Sequence, residues 1–133
     1  MIYMLDTDTT SSLIKGKLPA VENRLAVLAP SRVCISMVTR AELQYGLKWL
    51  PADHRLHLAV RQLFRIARVL PWDAEAADWY ASIRYQLVST GQPIGEMDMM
   101  IAAHSLSAGA VLVTSNRCHY ERIKAPLVLE DWA

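Results

Sequence analysis

Ile2-Tyr3-Met4-Leu5-Asp6-Thr7-Asp8-Thr9-Thr10-Ser11-Ser12 opens with four apolar residues that run unbroken into an aspartate, followed by a hydroxyl-rich segment. A short continuous apolar run of this kind marks a strand covered on both faces, as strands of parallel sheets are. The Thr7 to Ser12 cluster is rich in the residue types that cap helices. The same reading extends outward. Val33-Cys34-Ile35, Val69-Leu70, Ala110-Val111-Leu112-Val113 and Leu127-Val128-Leu129 are further short strands. Between them lie stretches with helical spacing. Val21, Leu25 and Leu28 are ended by Pro30, and Leu43, Leu47 and Leu50 by Pro51. Asp53 is placed to cap a helix whose inner face is Leu56, Val60, Leu63 and Ala67, and Asp73 one with Ala76, Tyr80, Ile83 and Leu87, closed near Gly91. A last helix runs from about Glu96 to Ala108, with Gly109 as its left-handed stop. Short apolar strands alternating with helices predict an α/β fold with a parallel sheet covered on both sides.

A length of 133 residues, 53% of them apolar, fits one domain with its own core, and no repeat or linker divides it. No run approaches the roughly 18 apolar residues a membrane helix needs, and Asp6 cuts short the N-terminal apolar run before it can form a signal-peptide core. The expectation is a cytoplasmic protein with no membrane partner. Cys34 and Cys118 lack metal-ligand spacing and receive no role. Net charge is +1, yet five of the 13 acids (Asp6, Asp8, Glu42, Glu96, Asp98) fall in three segments. Elsewhere 14 Lys and Arg face eight acids, a surplus of six that suits an acidic, metal-loaded focus receiving a polyanion.

Three carboxylates stand where strands and helices meet. Asp6 directly follows the first strand, Glu42 lies in the helix after the second, and Asp98 in the first turn of the helix before the fourth. In open parallel sheets ligands bind beyond the carboxyl ends of strands, so Asp6 and the Ser115-Asn116 pair after the fourth strand open onto one crevice. Clustered carboxylates repel unless a cation is present, and magnesium or manganese takes oxygen ligands. Such an ion polarises a phosphoryl oxygen and activates water without any histidine. Each acid also has a local structural explanation. Thr39-Arg40-Ala41-Glu42 matches a capping box, Asp98 can serve its helix dipole, and Asp6 can begin an Asx turn.

At these positions the chain resembles the VapC family of PIN-domain toxins. Met1-Ile2-Tyr3-Met4-Leu5-Asp6-Thr7 resembles that family's first motif, and Ile35 through Gly46 is similar to its second. Gly91-Gln92-Pro93-Ile94-Gly95-Glu96-Met97-Asp98-Met99-Met100-Ile101-Ala102-Ala103-His104 resembles the third. Val113-Thr114-Ser115-Asn116, His119-Tyr120-Glu121-Arg122-Ile123 and Glu130-Asp131-Trp132 look like its C-terminal stretch. The resemblance implies a single PIN domain over residues 1–133, a three-layer α/β/α sandwich with a short, mainly parallel central sheet. It implies a Mg²⁺ or Mn²⁺ site with Asp6, Glu42 and Asp98 as metal ligands and Asn116 beside them in the catalytic set. It further implies endonucleolytic cleavage of structured RNA such as a tRNA anticodon loop, neutralisation by a VapB-type antitoxin, and a homodimer. Two positions depart from the family: Asp8 replaces a usual asparagine, and Asn116 stands where many relatives carry a fourth acid.

Two other functions fit parts of the sequence. Leu5-Asp6-Thr7-Asp8-Thr9 resembles the opening motif of haloacid-dehalogenase-like phosphatases, with Asp6 as nucleophile and Asp8 as general acid. A non-catalytic binding module on the PIN fold is the second alternative. Among smaller features, His54 and His57 are expected at the surface and His104 against the sheet; Arg84 and Arg117 are candidate phosphate contacts, though either alone reads first as a solvated basic residue. The six methionines and four tryptophans are expected mostly in the core, with some at a dimer or antitoxin surface.

Overall fold

The computed structural model describes all 133 residues. Five strands form one sheet: β1 (Tyr3–Leu5), β2 (Val33–Ser36), β3 (Arg68–Leu70), β4 (Val111–Val113) and β5 (Leu129–Glu130). Their order is β3-β2-β1-β4-β5, and every neighbouring pair is parallel. The sheet is therefore wholly rather than mainly parallel. Successive strand residues point to opposite faces, and the three central strands obey this closely. Tyr3, Leu5, Val33, Ile35, Val111 and Val113 enter one core, whereas Met4, Cys34 and Leu112 enter the other.

Seven helices supply the outer layers: α1 (Thr7–Ile14), α2 (Pro19–Val27), α3 (Met37–Leu47), α4 (Arg55–Ile66), α5 (Ala74–Ser89), α6 (Glu96–Ala108) and α7 (Arg117–Tyr120). Val21 of α2 and Leu56, Val60 and Leu63 of α4 close the first core, with Leu13 and Ile14 of α1 packed against it. Ile83 and Leu87 of α5 and Met99, Ile101, Ala102 and Ala103 of α6 close the second. Helix α3 serves both, sending Val38 to one core and Leu43 and Leu47 to the other. The outcome is a three-layer α/β/α sandwich. Truncating a fully buried residue such as Leu5 to alanine costs about 2–5 kcal/mol in a core of this kind.

Helix α6 matches the sequence expectation at both ends, with Gly109 at φ 63° ending it. Elsewhere the structure corrects the sequence reading. The Thr7 to Ser12 cluster is itself helical, because Asp6 caps it and Thr9 and Thr10 are buried. The capping-box reading of Glu42 fails, because the cap of α3 is Ser36, whose hydroxyl accepts the Val38 amide at 3.1 Å. His54, not Asp53, caps α4 through Nδ1 at 3.2 Å from the Leu56 amide. His54 and His57 are consequently half-buried rather than on the surface. The last strand lies two residues later than expected. Met4, Met99 and Trp132 are buried and Met1, Met37, Met97 and Trp49 are exposed, a division between core and surface of the kind expected for these side chains.

Candidate active site

Strand β1 is the first laid down and sits in the middle, with β2 on one side and β4 on the other. The carboxyl ends of β1 and β4 therefore form the switch point at which a parallel sheet opens a crevice. The Asp6 amide donates to the Val113 carbonyl at 3.0 Å, carrying the pairing one step past the strands. Asp6 then caps α1. Its Oδ1 accepts the Thr9 amide at 2.9 Å, and its Oδ2 accepts the Thr114 hydroxyl at 2.6 Å. Only 2% of Asp6 is exposed.

The other two acids are held in the same manner. Glu42, inside α3, accepts the Thr7 hydroxyl on Oε1 at 2.6 Å. Thr7 lies 3.1 Å from the hydroxyl of buried Thr39. Since Thr7 gives its only hydroxyl proton to Glu42, Thr39 is the donor between the two threonines. Asp98, in the first turn of α6, accepts the Tyr120 hydroxyl on Oδ1 at 3.3 Å. The helices that carry Glu42 and Asp98 are tied at their base, where His104 Nδ1 of α6 lies 2.7 Å from the Ser36 hydroxyl capping α3.

Burial raises all three carboxyl groups above their ordinary range. The hydroxyl and amide donors oppose that shift, and mutual repulsion adds to it: Asp8 acts on Asp6, and Asp6 and Asp8 act on both Glu42 and Asp98. The Tyr120 hydroxyl is driven far upward by burial and the same carboxylates, so it stays a proton donor. No lysine or arginine pairs with any of these acids; the three ion pairs are Arg24–Glu130, Arg84–Glu96 and Arg117–Glu121. Arg84 and Arg117, the candidate phosphate contacts, thus hold acidic neighbours at 3.5 and 3.4 Å.

The donor set suits a hard divalent cation. It is all carboxylate, concentrated at one crevice, and without a lysine or arginine to neutralise it. No three of these side chains close into a preformed ligand cage. An ion bound among them would have to complete its coordination with water.

A PIN domain family model matches residues 3–124. The chain is 39% identical over 130 residues to the tRNA(fMet)-specific endonuclease VapC of Salmonella typhimurium, covering 98% of this chain and 97% of that protein. It is 40% identical over 133 residues to the tRNA(fMet)-specific endonuclease VapC of Shigella flexneri, covering 98% of each. This chain belongs to the VapC family of PIN-domain ribonucleases. The DNA-bound VapBC structure from Salmonella typhimurium superposes with a TM-score of 0.92 at 37% identity, over 100% of this chain and 99% of that one.

As a VapC-family member the chain is an endoribonuclease, and the haloacid-dehalogenase reading is overturned. The physical ground agrees with the family: both Asp6 oxygens are engaged, by Thr9 and Thr114, and the Asp8 carboxylate accepts the Asn116 side-chain amide. Asp6, Glu42 and Asp98 stand near enough for their charges to act on one another, although no three acids form a close group. Asn116 joins them through its neighbours: its side-chain amide donates to Asp8 at 2.7 Å and its backbone amide to the Thr114 hydroxyl at 2.9 Å. Sequence reasoning missed Thr7, Thr114 and Tyr120 as supports. Thr114 and Tyr120 lie inside the VapC-like C-terminal stretch, and that was the one signal pointing to them.

Proposed function

We propose that this protein is the toxin of a type II toxin–antitoxin pair, cutting structured RNA at a site built from Asp6, Glu42 and Asp98. The observation that carries the reading is the convergence at the switch point of three carboxylates from three elements, each oriented by a neutral hydroxyl. Bound Mg²⁺ or Mn²⁺ supplies Lewis acidity toward a phosphoryl oxygen and lowers the pKa of water, giving hydrolysis to a 5′-phosphate and a 3′-hydroxyl. The chain's own part is positional. Asp6, Glu42 and Asp98 would hold the cation, while the hydroxyls of Thr114, Thr7 and Tyr120 orient the three carboxylates. Two relatives named as tRNA(fMet)-specific endonucleases support initiator tRNA as the substrate, with a structured loop such as the anticodon loop as the expected point of cleavage.

A VapB-type antitoxin is the proposed inhibitor. A cavity of about 290 Å³ runs between α1, α3 and α4, from Glu42 and Asp8 to an apolar end at Leu47, Leu50, Leu56 and Val60. That shape accepts a partner segment with apolar anchors reaching toward the acids. A homodimer is proposed on the exposed Tyr85 and Val88 of α5. The whole of 1–133 acts as one PIN domain. No helix is long and apolar enough to cross a membrane.

The test is incubation of the antitoxin-free protein with total bacterial RNA, in Mg²⁺ and in EDTA, with mapping of cleaved ends. A discrete, metal-dependent cut bearing a 5′-phosphate, lost in Asp6→Ala, is expected. RNA that is bound but never cut, in Mg²⁺ or Mn²⁺, would move the function to a non-catalytic module on this fold.

A further inference from the structure

Thr114, Ser115 and Asn116 follow β4 directly, and this short segment grips two aspartates at once. The Thr114 hydroxyl donates to Asp6 at 2.6 Å, and the Asn116 side chain donates to Asp8 at 2.7 Å. The grip is braced internally, since the Asn116 backbone amide donates to the same Thr114 hydroxyl at 2.9 Å. The amide orientation follows from chemistry, because the opposite flip would set the Asn116 carbonyl oxygen against a carboxylate. Asp6 and Asp8 are thereby fixed relative to each other by a segment 108 residues away in sequence.

Asp8 differs from the three deeper acids. It is exposed, in the first turn of α1, at the mouth of the crevice and of the groove beside it. An unconstrained surface aspartate there would swing into water, away from three like charges. Instead a neutral amide holds it in place, on the cavity it shares with Glu42 and tied through Thr114 to Asp6. Holding a fourth negative charge against three others is unfavourable in the metal-free protein and favourable once a dication is bound.

We propose that Asp8 is the fourth carboxylate of the metal site, and that Asn116 is the positioning residue that keeps it there. Asp8 acts from the open side, through the water that a magnesium-type ion retains. This rests on the metal-site reading above and adds a member to it. The role of Asn116 follows directly. Its side-chain amide is spent on Asp8, so its influence on the cation passes through that carboxylate.

The test is Mn²⁺ binding by the RNA-free protein, followed by the electron paramagnetic resonance of unbound Mn²⁺. Asp8→Asn is expected to weaken binding roughly tenfold, the scale of losing an outer-shell partner. The half-saturating Mg²⁺ for cleavage should rise in parallel. The exchange Asp8→Asn/Asn116→Asp returns a carboxylate to the same hydrogen-bonded pair and is expected to recover most of the affinity. Mn²⁺ affinity unchanged in Asp8→Asn, or an exchange variant as weak as Asp8→Asn, overturns the inference while leaving the three-acid site standing. No Mn²⁺ binding by the unsubstituted protein overturns the metal site itself, and this inference with it.

Discussion

Asp6 and Asp73 each stand one residue ahead of a helix, in extended backbone, and each accepts the amide of the residue three along at 2.9 Å. As local structure the two are the same cap. Asp73 is exposed and caps α5 with no bond from across the sheet. Asp6 is 2% exposed, its second oxygen is taken by Thr114 from across the sheet, and burial drives its carboxyl upward. One motif thus yields either a cap or a cap that is also a site. The choice is made by where the sheet order reverses, a property of the whole chain that no short window of sequence contains.

The comparison can be broken most sharply at Asp6. Asparagine caps a helix about as well as aspartate, so Asp6→Asn keeps the local structure and removes the charge. Cleavage by this variant should fall by more than the roughly 100-fold that marks the upper end of outer-shell losses. Circular dichroism should stay unchanged. Activity within tenfold of the unsubstituted protein would mean Asp6 is only a cap. Thr114→Val removes the hydroxyl on Oδ2 without touching the cap, and cleavage should drop about 10–100-fold. An effect confined to melting temperature would reduce Thr114 to a packing residue.

The pH dependence sharpens the same contrast. Asp6, Glu42 and Asp98 hold their protons to higher pH in the folded chain than in the unfolded one. The unfolded chain therefore binds fewer protons in that window, and stability falls as pH rises from about 4 through the raised values. In EDTA, the melting temperature of Asp6→Asn should gain on that of the unsubstituted protein as pH climbs. Added Mg²⁺ should narrow the gap. A gap that is flat with pH would show that Asp6 carries no such strain. His104, lowered by burial, contributes in the opposite sense, losing stability as pH falls below about 6.5 in both proteins. Smallest of all, Asp73→Ala should cost about 1 kcal/mol of stability in urea titration and leave cleavage untouched.

The sheet was legible because its strands are short apolar runs, and apolar runs announce burial without reference to anything distant. Helix α6 was legible for a similar reason, since Gly109 supplies a left-handed stop that few other residues accept. Helix α1 was not, because a Thr- and Ser-rich segment has weak helical propensity. Its helicity comes from the Asp6 cap and from burial of Thr9 and Thr10 under neighbouring elements. The Glu42 capping box misled because Thr39 has the right spacing, while the true cap, Ser36, lies three residues earlier. The acids of the site were readable at strand ends. Their hydroxyl supports were not, since Thr7 and Glu42 are separated by 35 residues, and Thr114 and Asp6 by 108.

The placement of β4 beside β1 also bears on how the protein is made. Residues 6 and 8 leave the ribosome early, yet the segment that grips them arrives about a hundred residues later, and Tyr120 later still. A chain made only as far as β2 has its aspartates without Thr114, Asn116 or Tyr120 to orient them. A fragment that stops short of β4 therefore lacks the groups that orient Asp6 and Asp8, and assembly of the site waits on the pairing of β4 with β1.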